Sequence, residues 1–121
     1  MPALNFKKQF APHVESGRKR QTIRAYRKDG RDPKPGQRLY LYTGMRTKEC
    51  RKLKEAECKA TAPIELGTGQ LGDGIILNGR ELDGVDRARV SRADGFACAS
   101  EMLKWFKRVH GLPFKGLWIQ W

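Results

Sequence analysis

The stretch from Ala99 to His110 is the strongest constraint on how this chain can fold. Met102, Leu103, Phe106 and Val109 recur at spacings of three and four, which gathers them on one helical face. Glu101 lies in the first turn and Lys107 and Arg108 in the last, both favourable to the helix dipole, and Gly111 and Pro113 end the helix. The run that follows, residues 117–121 (LWIQW), is apolar and aromatic and reads as a central strand that holds the C-terminus in the core.

Upstream, the apolar pattern is shorter and repeatedly broken by glycine and proline. Residues 3–6 (ALNF) read as a first strand. Phe10 and Val14, four apart, mark a short helix that begins near Gln9 or Phe10, with Pro12 tolerated in its first turn and Gly17 placed to end it. Residues 22–26 alternate as a strand, 28–36 (KDGRDPKPG) form a loop, and 37–43 (QRLYLYT) form a strand. Residues 44–54 read as a basic loop or strand edge, and 55–66 as a weak strand. Ile75 to Leu77, the pair Asn78-Gly79 and the return 80–82 read as a hairpin. Residues 88–90 read as one more short strand. Two helices and about six strands, with strands on both sides of each helix, predict an α+β fold built on a small curved sheet or open barrel. With 121 residues and neither repeat nor linker, a single domain spanning 1–121 is expected.

Charge narrows the class of partner. The net charge is +12, and the first 60 residues hold 17 Lys and Arg against 6 Asp and Glu, whereas the rest are nearly balanced at 8 against 7. Such a field favours phosphate-bearing partners and speeds their encounter. Cys50, Cys58 and Cys98 make an odd count without CxxC spacing, which argues against a disulfide framework and a zinc site and fits a reducing, cytoplasmic setting. The start, MPALNFKKQF, has no signal-peptide character, and no apolar run approaches the roughly 20 residues of a membrane span. The glycine-rich LGTGQLGDG has neither the Walker lysine spacing nor the GxGxxG order, and reads as a flexible turn. No metal and no cofactor are expected.

The chemistry concentrates in residues 17–24, GRKRQTIR. As a strand, residues 22–26 would put Thr22, Arg24 and Tyr26 on one face, with Lys19 entering just before them. Lys19, Thr22 and Arg24 can then converge on one cavity, a set suited to an anion or a nucleobase carbonyl. Partial burial among cations would lower the lysine pKa and make it a base or nucleophile. The bland alternative is a solvated basic turn. A second basic run, Arg46, Lys48, Arg51, Lys52 and Lys54, lies beside Tyr40 and Tyr42. It suits single-stranded RNA, bases stacking while phosphates pair, or else it is a solvated loop beside tyrosines packed as ordinary strand residues. His13 and His110 suit helix-end roles. Trp118 suits packing and Trp121 either packing or stacking, while Cys98, ahead of the last helix, suits a small packing position.

The order FKKQFAPHVESGRKRQTIR, a PG-containing loop, then GQRLYLYTG resembles the ASCH domain family of the PUA-like superfamily. The family signature Gly-x-Lys-x-x-Thr-x-Arg is met by Gly17, Lys19, Thr22 and Arg24, and the ADGF segment, a helix and a final strand extend the resemblance over most of the chain. The resemblance implies a PUA-like β-barrel of about six strands with two helices, and binding of RNA or a modified nucleoside. Arg18, Arg20, Arg24, Tyr42, Arg46 and Lys48 are the residues expected to bind. Some family members are amidohydrolases acting on N4-acetylcytidine, and others are ribonucleases. By that resemblance Lys19 would be base or nucleophile, Thr22 would stabilise an oxyanion or position the substrate, and Asp94 would transfer the proton. Those enzymes carry Glu where Asp94 stands, one methylene longer. Arg24 would anchor Asp94 through a bidentate pair.

Overall fold

Alternation along Arg38–Thr43 buries Leu39, Leu41 and Thr43 and leaves Arg38, Tyr40 and Tyr42 more open, so this segment (β3) lies with one face on a core. The computed structural model describes residues 2–121, and β3 is the centre of a three-stranded sheet. Ala3–Phe6 (β1) pairs with it in parallel, and Arg51–Glu57 (β4) pairs antiparallel across a bulge at Leu41/Tyr42. The short helix Ala11–Glu15 (α1) packs Val14 and Ala11 beneath this sheet.

The second sheet has the order β2-β8-β5-β6-β7, formed by Gln21–Arg24 (β2), Phe114–Gln120 (β8), Ala60–Thr68 (β5), Gly74–Leu77 (β6) and Arg80–Glu81 (β7). As expected, the C-terminal strand is internal, antiparallel to β2 on one side and to β5 on the other. The hairpin β6–β7 turns at Asn78 and Gly79, with φ of 53° and 79°. The C-terminal helix Ala99–Val109 (α3) lays Met102, Leu103 and Phe106 on this sheet.

Two expectations are corrected, the strand at 88–90 and the number of elements. Residues 88–90 belong to a helix, Gly84–Ala93 (α2), rather than a strand; Asp83 caps it by accepting from the Asp86 N–H at 2.8 Å. α2 is polar nearly all round, so its apolar residues carry no helical period. Residues 44–54 combine both expected forms, a loop over 44–50 and then the edge strand β4 from Arg51. The described residues form eight strands and three helices where about six and two were expected; the α+β class is as expected, and the ladders make two sheets.

Two apolar clusters fill the interior. One joins Leu4, Phe6, Phe10, Val14, Leu39 and Leu41 to Ile119 and Trp121. The other joins Ile64, Leu66, Ile75 and Phe114 to the buried face of α3. Phe96 and Trp105 pack against both clusters, so the core is continuous. Full burial of each large aliphatic or phenylalanine side chain contributes about 1.5–3 kcal/mol. Trp118 packs on the second cluster, as expected, and Trp121 is buried against Phe6 at 5.8 Å between ring centroids. Cys98 is exposed rather than packed, at the N-cap of α3. Among the described residues no helix is long and apolar enough to cross a membrane.

The two sheets are not hydrogen-bonded to each other where β1 and β2 approach. The free edge of β1 is instead covered by arginine: the Ala3 carbonyl accepts from Arg27 Nη2 at 2.8 Å and the Asn5 carbonyl from Arg24 Nη2. These contacts satisfy backbone groups that would otherwise template another strand, and they leave an opening between the sheets.

Candidate functional site

The opening is built by three short pieces of chain. After α1 the backbone turns at Gly17 (φ 84°), and the Lys19 N–H donates to the His13 carbonyl at 2.9 Å, which aims the lysine inward. On the opposite side α2 ends at Asp94. Gly95 follows at φ 102°, a conformation that suits glycine, and a Cβ there would stand 3.1 Å from the Phe10 ring. This turn delivers the Asp94 carboxylate to Lys19. The floor is β2.

Lys19 and Asp94 form a buried ion pair, Nζ to Oδ1 at 3.1 Å, with side chains only 3% and 7% exposed. Lys19 Nζ also donates to the Asp94 carbonyl, at the C-terminal end of α2, where the helix dipole favours a cation. It stands 5.0 Å from the Phe10 ring centroid. Burial holds the Lys19 pKa below its ordinary 10.5, although the Asp94 charge pulls the other way. Burial likewise raises Asp94 above 3.8, against the opposing pull of Lys19 and Gln21. Gln21 locks the corner. Its amide donates to the Val90 carbonyl at 3.1 Å and to Asp94 Oδ1 at 3.4 Å, and its oxygen accepts from Trp118 Nε1 at 3.0 Å.

Thr22 is buried, and its Oγ1 accepts from Arg24 Nε at 3.3 Å, leaving the hydroxyl proton free for another acceptor. Arg24 lies 4.7 Å over the Phe6 ring, and burial brings its pKa down to about 10. It does not hold Asp94 in the expected bidentate pair. Its guanidinium is spent on Thr22 and on the Asn5 carbonyl, because β2 directs it to the β1 edge, and Lys19 takes the Asp94 carboxylate.

These groups line a cavity of about 290 Å³ between β1, β2 and α3. Phe6, Phe10, Phe96 and Trp105 supply its aromatic wall, with Phe10, Phe96 and Trp105 mutually 5.5–5.9 Å apart. His110 stands at the rim, at the C-cap of α3, and burial together with Lys7 depresses its pKa below 6.5. A larger groove of about 580 Å³ runs past Leu71, Arg87, Leu103 and Lys107, but none of its polar side chains is buried. Buried polar side chains, Lys19, Thr22 and Asp94, line the smaller cavity.

The structure brings together Lys19, Thr22, Arg24 and Asp94. Arg18 and Arg20 point to solvent and do not line the cavity. Tyr42 is half-buried on β3 opposite Lys52, away from the cavity, and Lys48 is exposed in the turn after β3. Tyr26 lies beyond β2 and is 50% exposed, so it does not share the Thr22 face. Arg46 lines an adjoining depression together with Asn5 and Arg24. Part of the second basic run is neutralised: Arg51 pairs with Glu15 at 2.7 Å and Lys52 with Glu55 at 2.6 Å. Sequence reading missed Gln21 and the aromatic wall. The signal for the wall was present in Phe6 and Phe10 ahead of the basic segment and in Phe96 directly after Asp94-Gly95.

No protein-family model matches this chain, and no curated protein sequence and no solved structure shows significant similarity to it.

Proposed function

We propose that the chain is an ASCH-type domain of the PUA-like class, its two sheets forming an open barrel, and that it binds RNA or a modified nucleoside in the cavity beside β2. The observation that carries this reading is a buried Lys19, Thr22 and Asp94, with half-buried Arg24 beside them, facing an aromatic wall within one small cavity. Its volume of about 290 Å³ lies at the lower end of the ~300–1,000 Å³ range of ligand pockets, a size for one base with its sugar. A planar base would stack on Trp105 or Phe10, while Lys19 and the Thr22 hydroxyl donate to its carbonyl and Asp94 accepts from its amino edge. Reducing, cytoplasmic surroundings belong to the same reading, with Cys50, Cys58 and Cys98 as free thiols.

A second reading, amide hydrolysis on an N4-acylcytidine, is favoured by the depressed pKa of Lys19 beside a carboxyl group 3.1 Å away. Neutral Lys19 would take a proton from water as that water attacks the acyl carbonyl. The Thr22 hydroxyl would donate to the oxyanion, and as the C–N bond breaks the proton would pass through the Lys19–Asp94 pair to the leaving amine. The shorter Asp94 reaches the lysine because α2 ends directly against it. Ribonuclease activity, the other reaction the family resemblance implies, has no comparable observation in its favour.

The test combines nucleoside binding, followed by tryptophan fluorescence, with chromatography of N4-acetylcytidine incubated with wild type and Lys19→Ala. Binding without product would support the reader. Product formed by wild type and lost in the variant would support the hydrolase. Neither binding nor product would remove the assignment of this cavity.

A further inference from the structure

Arg24 and Asn5 belong to two cavities at once. Beyond them the pocket opens into a depression of about 660 Å³ whose wall carries Arg27, Lys28, Asp29 and Arg46. Four cations therefore meet one carboxylate, and Asp29 is turned onto its own loop, where Oδ1 accepts the Arg31 N–H at 2.9 Å. Among the described residues, none of Arg24, Arg27, Lys28 and Arg46 is in an ion pair, whereas Arg38, Arg51 and Lys52 all are. Four cations without an ion pair thus meet at this mouth.

Two of these cations are also held in place by side-chain hydrogen bonds. Arg27 and Arg24 are tied to the Ala3 and Asn5 carbonyls on the β1 edge. The turn that carries Arg46 is tied to the same strand, because the Met45 N–H donates to Asn5 Oδ1 at 3.0 Å. Arg24 retains guanidinium donors beyond those it spends on Thr22 and Asn5. Cations ordered before binding lose less entropy on engaging an anion than free surface side chains would.

We infer that this depression is a phosphate track, and that the ligand of the neighbouring pocket is a phosphorylated nucleotide or a stretch of RNA strand rather than a free nucleoside. The inference rests on the proposal that the cavity holds a nucleobase. With the base against Trp105, the sugar passes Asn5 and Arg24 and its phosphate meets Arg27, Lys28 and Arg46.

The experiment measures equilibrium binding of the four ribonucleosides, their 3′- and 5′-monophosphates and a short mixed-sequence single-stranded RNA. Wild type is compared with Lys28→Ala/Arg46→Asn; asparagine tolerates the left-handed backbone at position 46, where φ is 66°. For wild type, one added phosphate is expected to tighten binding about tenfold at low salt, through charge-assisted hydrogen bonds. The double variant should lose most of that gain and keep its nucleoside affinity. Its RNA affinity should vary less steeply with salt, the slope of log K against log salt falling by about 1.4, or roughly 0.7 for each phosphate no longer neutralised. An affinity that rises further from monophosphate to RNA identifies a strand as the ligand, and no further rise identifies a nucleotide. Equal binding of nucleosides and their phosphates by wild type overturns the track, as does a double variant that keeps the preference. Wild type that binds none of these probes overturns the nucleobase pocket, and the track with it.

Discussion

Lys19 shows what burial does to a residue that sequence reads as part of a charge run. Of the three cations in Gly17-Arg18-Lys19-Arg20, the structure leaves the outer two in solvent and sinks the middle one to 3% exposure. Removing one partner of a buried pair strands the other. Lys19→Met should therefore cost about 3–5 kcal/mol in urea denaturation, and Lys19→Met/Asp94→Asn should recover most of it, since Asn keeps the Gln21 contact without the charge. The pH dependence has a definite sign. With Asp94 raised above 3.8, the folded chain holds more protons than the unfolded one just above that pH, so stability falls as pH rises from 3.8 through the folded value. With Lys19 lowered below 10.5, the unfolded chain holds more protons between the folded value and 10.5, so stability rises with pH across that window. Wild type should show a minimum between the two windows that the double variant lacks, measured as unfolding free energy against pH. A flat wild-type profile would show that burial does not penalise the charges.

At the scale of the element, caps explain what periodicity could not. The helix α3 was legible because Met102, Leu103 and Phe106 repeat on one face and are all buried. Only Ser91 is fully buried in α2, so the helix carries no stripe, and its start is announced by the Asp83 cap alone. Asp83→Ala is expected to cost about 1 kcal/mol by thermal denaturation. The complementary case is Cys98, which occupies the N-cap of α3 in an extended conformation (φ −160°, ψ 171°) and offers no side-chain cap. Cys98→Ser should add up to about 1 kcal/mol of stability, because its hydroxyl can accept from an unpaired N–H of the first turn. No gain in melting temperature would mean that those N–H groups are already satisfied by solvent.

For the molecule as a whole, Phe96 and Trp105 join two apolar clusters and also line the cavity, so folding and site are one structure. Unfolding followed by tryptophan fluorescence and by far-ultraviolet circular dichroism should coincide in a single transition. Trp105→Ala should shift both probes together, at a cost of about 3 kcal/mol. Separate transitions would show that the two sheets unfold independently. The sequence by itself determined the α+β class, the amphipathic α3, the internal C-terminal strand, the hairpin at Asn78-Gly79 and the segment that supplies Lys19, Thr22 and Arg24. Each of these follows from local periodicity or from turn chemistry, which act over a few residues. Only the tertiary structure decided that Asp94 pairs with Lys19 rather than Arg24, that the ladders divide into two sheets, and that aromatic residues from β1, α3 and the flanks of α1 and α2 close on one cavity. Those outcomes depend on contacts between residues as far apart as positions 19 and 94, and no local pattern carries the desolvation and edge pairing that select them.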